Sequence, residues 1–169
     1  MTLNPASPNC NDRILAGLRI AVGLLFLIFA EYKVFGRQFT LGGGFQWWIH
    51  RFLAGGAYPF MVPVLQGFVL RHGTALAFLV AYGELVIGVA LVAGLLVRTA
   101  SFFGLLFMLS LLFASDYPGP QAAFWQYFGA ALDHLVLAFC FGAFLLGEAD
   151  RAFSVQRYFR RSRGAAARE

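Results

Sequence analysis

Polar residues thin out four times along the chain, at roughly 14–35, 74–97, 99–115 and 122–147. Each stretch is long enough for a helix to cross a bilayer, which takes about 20 mostly apolar residues. The third is the cleanest, with no charge between 99 and 115, while the others each carry ionisable residues. Only Arg98 separates the second from the third, which predicts a tight helical hairpin. The DYPGP sequence at 116–120 is turn chemistry and joins the third stretch to the fourth. Residues 1–13 are polar, contain Pro5 and Pro8 and lack a basic start. No small-residue cleavage site follows, so the first stretch is expected to stay in the protein as a membrane segment.

Between the first and second stretches lies a connector, residues 37–73. It opens on Gly42-Gly43-Gly44, a flexible break too small to cradle a phosphate. FQWWIHRFLAGGAYPF follows. Trp47 and Trp48, with Phe52 and Tyr58, are residue types that settle at a membrane–water boundary. A short helix lying in the interface is expected there, then a turn at Tyr58-Pro59 and an apolar stretch leading into the second span. The predicted fold is all-α: an integral membrane four-helix bundle with an amphipathic interfacial helix between its first and second spans. A polar N-terminal segment (1–13) precedes the membrane domain (14–147), and a basic tail (148–169) follows it.

Composition agrees with this pattern. Sixty per cent of the residues are hydrophobic, 12% are charged and the mean hydropathy is +0.71; soluble domains carry about 25% charged residues. The net charge of +5 could suggest nucleic acid, but six of the thirteen basic residues fall in the last 19 positions, directly after an apolar run. That placement fits a tail among anionic headgroups, and no nucleic-acid partner is expected. With four spans, both termini share a side with the Arg98 loop. That side collects eight basic residues against Lys33, Arg37, Arg51 and Arg71 on the other. The positive-inside rule then places both termini in the cytoplasm, and the expected location is the inner (cytoplasmic) membrane of a bacterium or archaeon. Cys10 and Cys140 have no metal or redox spacing, and a disulfide between them is not expected.

Charged groups inside the spans carry the candidate chemistry, because each costs about 2.5–3.5 kcal/mol at a helix centre. Glu84 lies about 15 Å into the second span, close to the midplane, and Asp133 and His134 are placed at similar depth in the fourth. Arg19 lies about 8 Å in from the cytoplasmic end of the first. Ala77, Ala81, Glu84, Gly88 and Leu95 follow three- and four-residue steps, so Glu84 shares a stripe with small residues at a helix contact. Arg19, Gly23, Phe26 and Ala30 form a similar stripe; Ala130, His134 and Ala138 share a face, with Asp133 about 100° away. The simplest arrangement turns Arg19, Glu84 and one of Asp133 or His134 toward a common interior. Such a cluster is either an ion pair that fixes helix register, a polar pocket for a quinone headgroup or proton path, or a subunit contact. Glu31 and Lys33 read as an ordinary surface pair. His134 either hydrogen-bonds or ligates a haem or pigment; His50 and His72 read as interfacial. No metal-ligand spacing, dinucleotide turn or nucleophile motif is present in the sequence.

The stretch ALAFLVAYGELVIGVALVAGLLVRTASFFGLLFML resembles the central pattern of the DoxX/DoxD family of small four-helix membrane proteins. The likeness is carried by Glu84-Leu85, Gly88, Gly94-Leu95-Leu96 and Arg98. The first span, with Arg19, Gly23, Phe26 and Lys33, is similar to the family's opening helix, and LLGEADRAFSVQRYFRR to its closing stretch. The connector's glycine triplet and Trp47-Trp48 have no counterpart in that pattern. The resemblance is nearer the DoxD branch, which includes the small subunit of thiosulfate:quinone oxidoreductase. It implies a redox-linked membrane protein that works with a quinone and with other membrane subunits or a soluble redox partner. No cofactor motif accompanies it. The competing expectation is an accessory subunit of a larger respiratory or photosynthetic complex. A proton-coupled transporter ranks last, since broken-helix signals in paired positions are lacking.

Overall fold

The computed structural model describes residues 8–128 and 132–158. Helix α1 (Cys10–Phe35) starts on a reciprocal cap, in which the Asn9 side chain accepts from the Asp12 N–H and the Asp12 carboxylate accepts from the Asn9 N–H. Short helices α2 (Arg37–Thr40) and α3 (Gly44–Arg51) open the connector. Gly43, at φ 81°, makes the left-handed turn between them that a side chain would resist. A π turn at Phe52–Gly56, the short α4 (Val62–Val64) and a second π turn at Leu65–Val69 lead into α5 (Gly73–Ala93). Then follow α6 (Val97–Ser115), a tight turn at Phe124–Phe128 and α7 (Asp133–Leu146).

The described residues are helical or irregular, as the all-α expectation requires. Helices α1, α5 and α6 are each long and apolar enough to cross a membrane. Helix α1 packs along α5 and α6 along α7, and the two pairs join through α5–α6 and α1–α7 contacts. The α1–α5 contact is close because glycine faces it from both sides. A Cβ on Gly23 would stand 2.9 Å from Leu91 and Val92 atoms, and one on Gly88 would stand 2.8 Å from Leu27. In the other pair, a Cβ on Gly104 would fall onto the Phe141 ring. Phe141 and Phe144 are fully buried, and Phe141 meets Phe26 edge-on with ring centroids 5.2 Å apart. Such an aromatic pair adds about 0.5–1.5 kcal/mol beyond its burial.

Two helix boundaries differ from the sequence expectation. The second span was expected to run to 97, but Gly94 (φ 68°) ends α5 at Ala93, and Arg98 lies within α6. The buried stripe of α5 therefore continues through Leu91 and stops short of Leu95, which is 38% exposed. The fourth stretch is not one helix over 122–147. Its α-helix starts at Asp133 and has 14 residues, about 21 Å at helical rise. Leu132, at φ 58°, breaks helical continuity just before it, and the Phe124–Phe128 turn is pinned elsewhere. The Tyr58 hydroxyl donates to the Tyr127 carbonyl at 2.5 Å, and the Tyr127 hydroxyl donates to the Gly119 carbonyl at 2.9 Å. Ala130 of the expected His134 face lies outside the described residues, as do Pro5 and the tail arginines beyond Tyr158.

The core has two parts. One lies among Val22, Phe26, Leu91, Met108, Phe141 and Phe144 of the long helices. The other forms where the connector folds onto the first half of α5, joining Phe39, Phe45, Ile49 and Leu65 to Ala77 and Ala81. Helix α3 buries Phe45 and Ile49 and turns Trp47 and Trp48 outward, with the Arg51 guanidinium 5.6 and 5.8 Å from their rings. That is a one-faced helix with aromatic and cationic residues on its open side, the chemistry of a membrane boundary.

Candidate functional site

Glu84 sits on α5 at the seam between the two cores, after Ala81 of one and before Ile87 of the other. Its partner is Lys33, near the end of α1. The Lys33 Nζ donates to Glu84 Oε1 at 2.5 Å and Oε2 at 2.6 Å, and the two side chains are 12% and 6% exposed. Phe39 of α2 closes the site from the connector side, its ring centroid 5.3 Å from Nζ; the Tyr32 ring lies at 5.8 Å. An ammonium over two aromatic faces gains electrostatic attraction from the rings as well as from the carboxylate. Lys33 also retains a third N–H beyond the two directed at Glu84.

This arrangement corrects two expected pairs. Glu84 does not meet Arg19, and Lys33 does not form a surface pair with Glu31, which is exposed. Helix register explains both. Gly23 faces Val92, and α1 and α5 run antiparallel, so ten residues further along α1 corresponds to ten residues back along α5. That puts Lys33 level with Tyr82, half a turn from Glu84, while Arg19 falls near Gly94. Gly23 and Gly88 mark a close helix approach in the sequence, but only the fold shows that they meet each other and so bring Lys33 to Glu84.

Arg19 is fully buried at the opposite end of the bundle. It donates to the Ala149 carbonyl at 2.9 Å and to the Phe153 carbonyl at 2.8 Å. The segment after α7 is thereby folded back under the helices, where the Ser154 hydroxyl donates to the Gly94 carbonyl at 2.8 Å. Arg19 is an anchor for that segment and not part of a pocket with Glu84.

Asp133 and His134 are not at mid-depth, because they open α7 at its N-terminal end. There His134 Nδ1–H donates to Asp116 Oδ2 at 2.9 Å, and Asp133 Oδ1 accepts from the His134 backbone N–H at 2.8 Å. Asp116, the residue that caps α6, carries no helical-face signal and escapes sequence reasoning; only the fold brings it to His134 across 18 positions. One potential ligand atom from each of Asp116, Asp133 and His134 lies within 4.8 Å of the others. The sequence, read linearly, offered no metal set. The four expected pocket residues thus occupy three separate places, and Lys33 and Asp116 join them.

Burial pushes the Asp116 carboxyl up, but hydrogen bonds from His134 and Ser115 and the His134 charge outweigh it, holding the group below the usual aspartate range. A lowered folded-state value contributes stability that is complete above the ordinary aspartate value of about 4. That contribution is lost as pH falls through the lowered value. Thermal unfolding in detergent should therefore show a midpoint that drops at acid pH, and Asp116→Asn should flatten that drop. An unchanged acid limb in the variant would show that the pair does not stabilise the fold.

Among known proteins, the DoxX family model matches residues 14–116, from α1 through the end of α6. No curated protein and no solved structure matches the chain.

Proposed function

The chain belongs to the DoxX family, and from that membership we propose that it is a membrane subunit of a quinone-linked oxidoreductase, meeting the quinone headgroup at Lys33–Glu84. The observation that supports this reading is the pair itself. A cation and a carboxylate are held 2.5 Å apart, nearly withdrawn from solvent, beside the Tyr32 and Phe39 rings. A planar headgroup can stack on aromatic faces, and its carbonyl oxygen can accept the third Lys33 N–H. Conversion of a quinone to a quinol takes two electrons and two protons. The electrons come from a partner subunit or soluble donor. Lys33 delivers one proton to a carbonyl oxygen and water supplies the second to the other oxygen, after which the amine takes a proton back from water, favoured by the adjoining Glu84 carboxylate. We place the protein in the cytoplasmic membrane of a bacterium or archaeon, and the asymmetry of its basic residues supports both termini lying on the cytoplasmic side.

The second reading is an accessory subunit of a larger respiratory or photosynthetic complex. It is favoured by the two-oxygen closure of the pair on itself and by the separation of Arg19 and His134 from it. Purified protein titrated with a short-chain, water-soluble quinone separates the two. The oxidoreductase reading expects a thermal midpoint raised by several degrees and loss of that rise in Lys33→Gln. No rise, and no quinone in a solvent extract of the purified protein, would leave the accessory role.

A further inference from the structure

The end of the bundle opposite Lys33–Glu84 holds a cavity of about 410 Å³ between the first turn of α1 and the segment after α7. Three guanidinium-bearing residues line it, Arg13, Arg151 and Arg157, together with Ser154, and no acidic residue is among its lining. Two of the three are partly engaged. Arg151 pairs with Glu148, and Arg157 donates to the Arg151 carbonyl and thereby orders the segment. Arg13 has no ion pair among the described residues. The nearby carboxylate of Asp12 is taken by the α1 cap.

The cavity is a built feature of the fold. Its floor is the segment that Arg19 clamps at Ala149 and Phe153 and that Ser154 and Gln156 tie to the α5–α6 turn. The ends of all the long helices meet at this level, where a bilayer places its headgroups. Phe153 of the lining is 64% exposed, and the helix that supplies Arg13 carries exposed apolar residues from its first turns onward, Ile14 next to Arg13 and Leu18 one turn further, 65% and 44% exposed. Guanidinium groups bind phosphate oxygens through paired N–H donors, and the apolar flank suits an acyl chain.

We infer that this cavity is a phosphate-binding site filled by the headgroup of an anionic phospholipid, its phosphate held by Arg13 and Arg157 and an acyl chain lying along Ile14 and Leu18. The site stands apart from Lys33–Glu84 and does not depend on how that pair is read.

Native mass spectrometry of the detergent-purified full chain, mixed with equal phosphatidylglycerol and phosphatidylcholine, tests this directly. Phosphatidylglycerol adducts should dominate, and Arg13→Gln should reduce them about fivefold. Arg13 lies outside the clamp, so the thermal midpoint of that variant in lipid-free detergent should stay at the wild-type value. Millimolar inorganic phosphate should compete only weakly. Equal retention of the two lipids, or retention unchanged in Arg13→Gln, overturns the site. Tight phosphate adducts with no lipid preference overturn the lipid assignment and make this a site for a free phosphate compound.

Discussion

Replacing Lys33 with methionine should destabilise the folded protein by about 3–5 kcal/mol, the cost of leaving a buried charge without its partner. Glu84 is the more deeply buried of the two, 6% exposed against 12%, and it sits at the junction of the two cores. Its carboxylate has no second cation within salt-bridge distance among the described residues. Glu84→Gln should cost less. The stranded ammonium keeps the Phe39 and Tyr32 faces and lies two residues from the end of α1, where a flexible stem can carry it toward water. The double variant Lys33→Met with Glu84→Leu should recover most of the loss, because an apolar pair of similar volume escapes the desolvation cost of both charges. Equilibrium unfolding in mixed micelles measures all three. Equal losses in both single variants, with no recovery in the double, would mean the pair contributes through packing and not charge.

The second large effect is expected at Arg19. Its guanidinium reaches two carbonyls, on Ala149 and Phe153, from a fully buried position. Hydrogen bonds to a charged group contribute about 1.5–3 kcal/mol each. Arg19→Met should therefore cost about 3 kcal/mol and release the segment after α7. Limited proteolysis should then cut between 148 and 158 in the variant and spare the wild type. Arg19→Lys should rescue little, since an ammonium on a shorter reach cannot imitate a planar fork that spans two carbonyls. Resistance to proteolysis equal to wild type in Arg19→Met would remove the clamp from the account. Loss of the clamp should also open the arginine-lined cavity beneath it, so phospholipid retention is expected to fall in the same variant.

How far these features were legible in the residues depends on the distance over which each is decided. The apolar helices and the turn at 116–120 are local, since hydropathy and proline chemistry act within one stretch of chain. The burial of Arg19, Gly23, Phe26 and Ala30 on one face of α1 follows from helical spacing alone. The start of α7 did not follow from hydropathy, because 122–132 is as apolar as the helix it precedes. Residues 124–128 are kept out of that helix by tyrosine hydrogen bonds to other segments, and the left-handed turn at Leu132 starts it anew.

By itself the sequence determined an all-helical membrane protein of the DoxX family in which Glu84 faces a neighbouring helix and not lipid. The family rests on the Glu84-Leu85, Gly94-Leu95-Leu96 and Arg98 pattern, while low charge, apolar length and the small residues beside Glu84 carry the rest, because each expresses a cost that any bilayer imposes. Only the tertiary structure decided which cation answers Glu84. Arg19 and Lys33 lie on the same helix, and nothing along α1 ranks one above the other. The choice comes from antiparallel register, set where glycines let α1 and α5 approach, and that register leaves Lys33 beside Glu84 and Arg19 beside the returning chain.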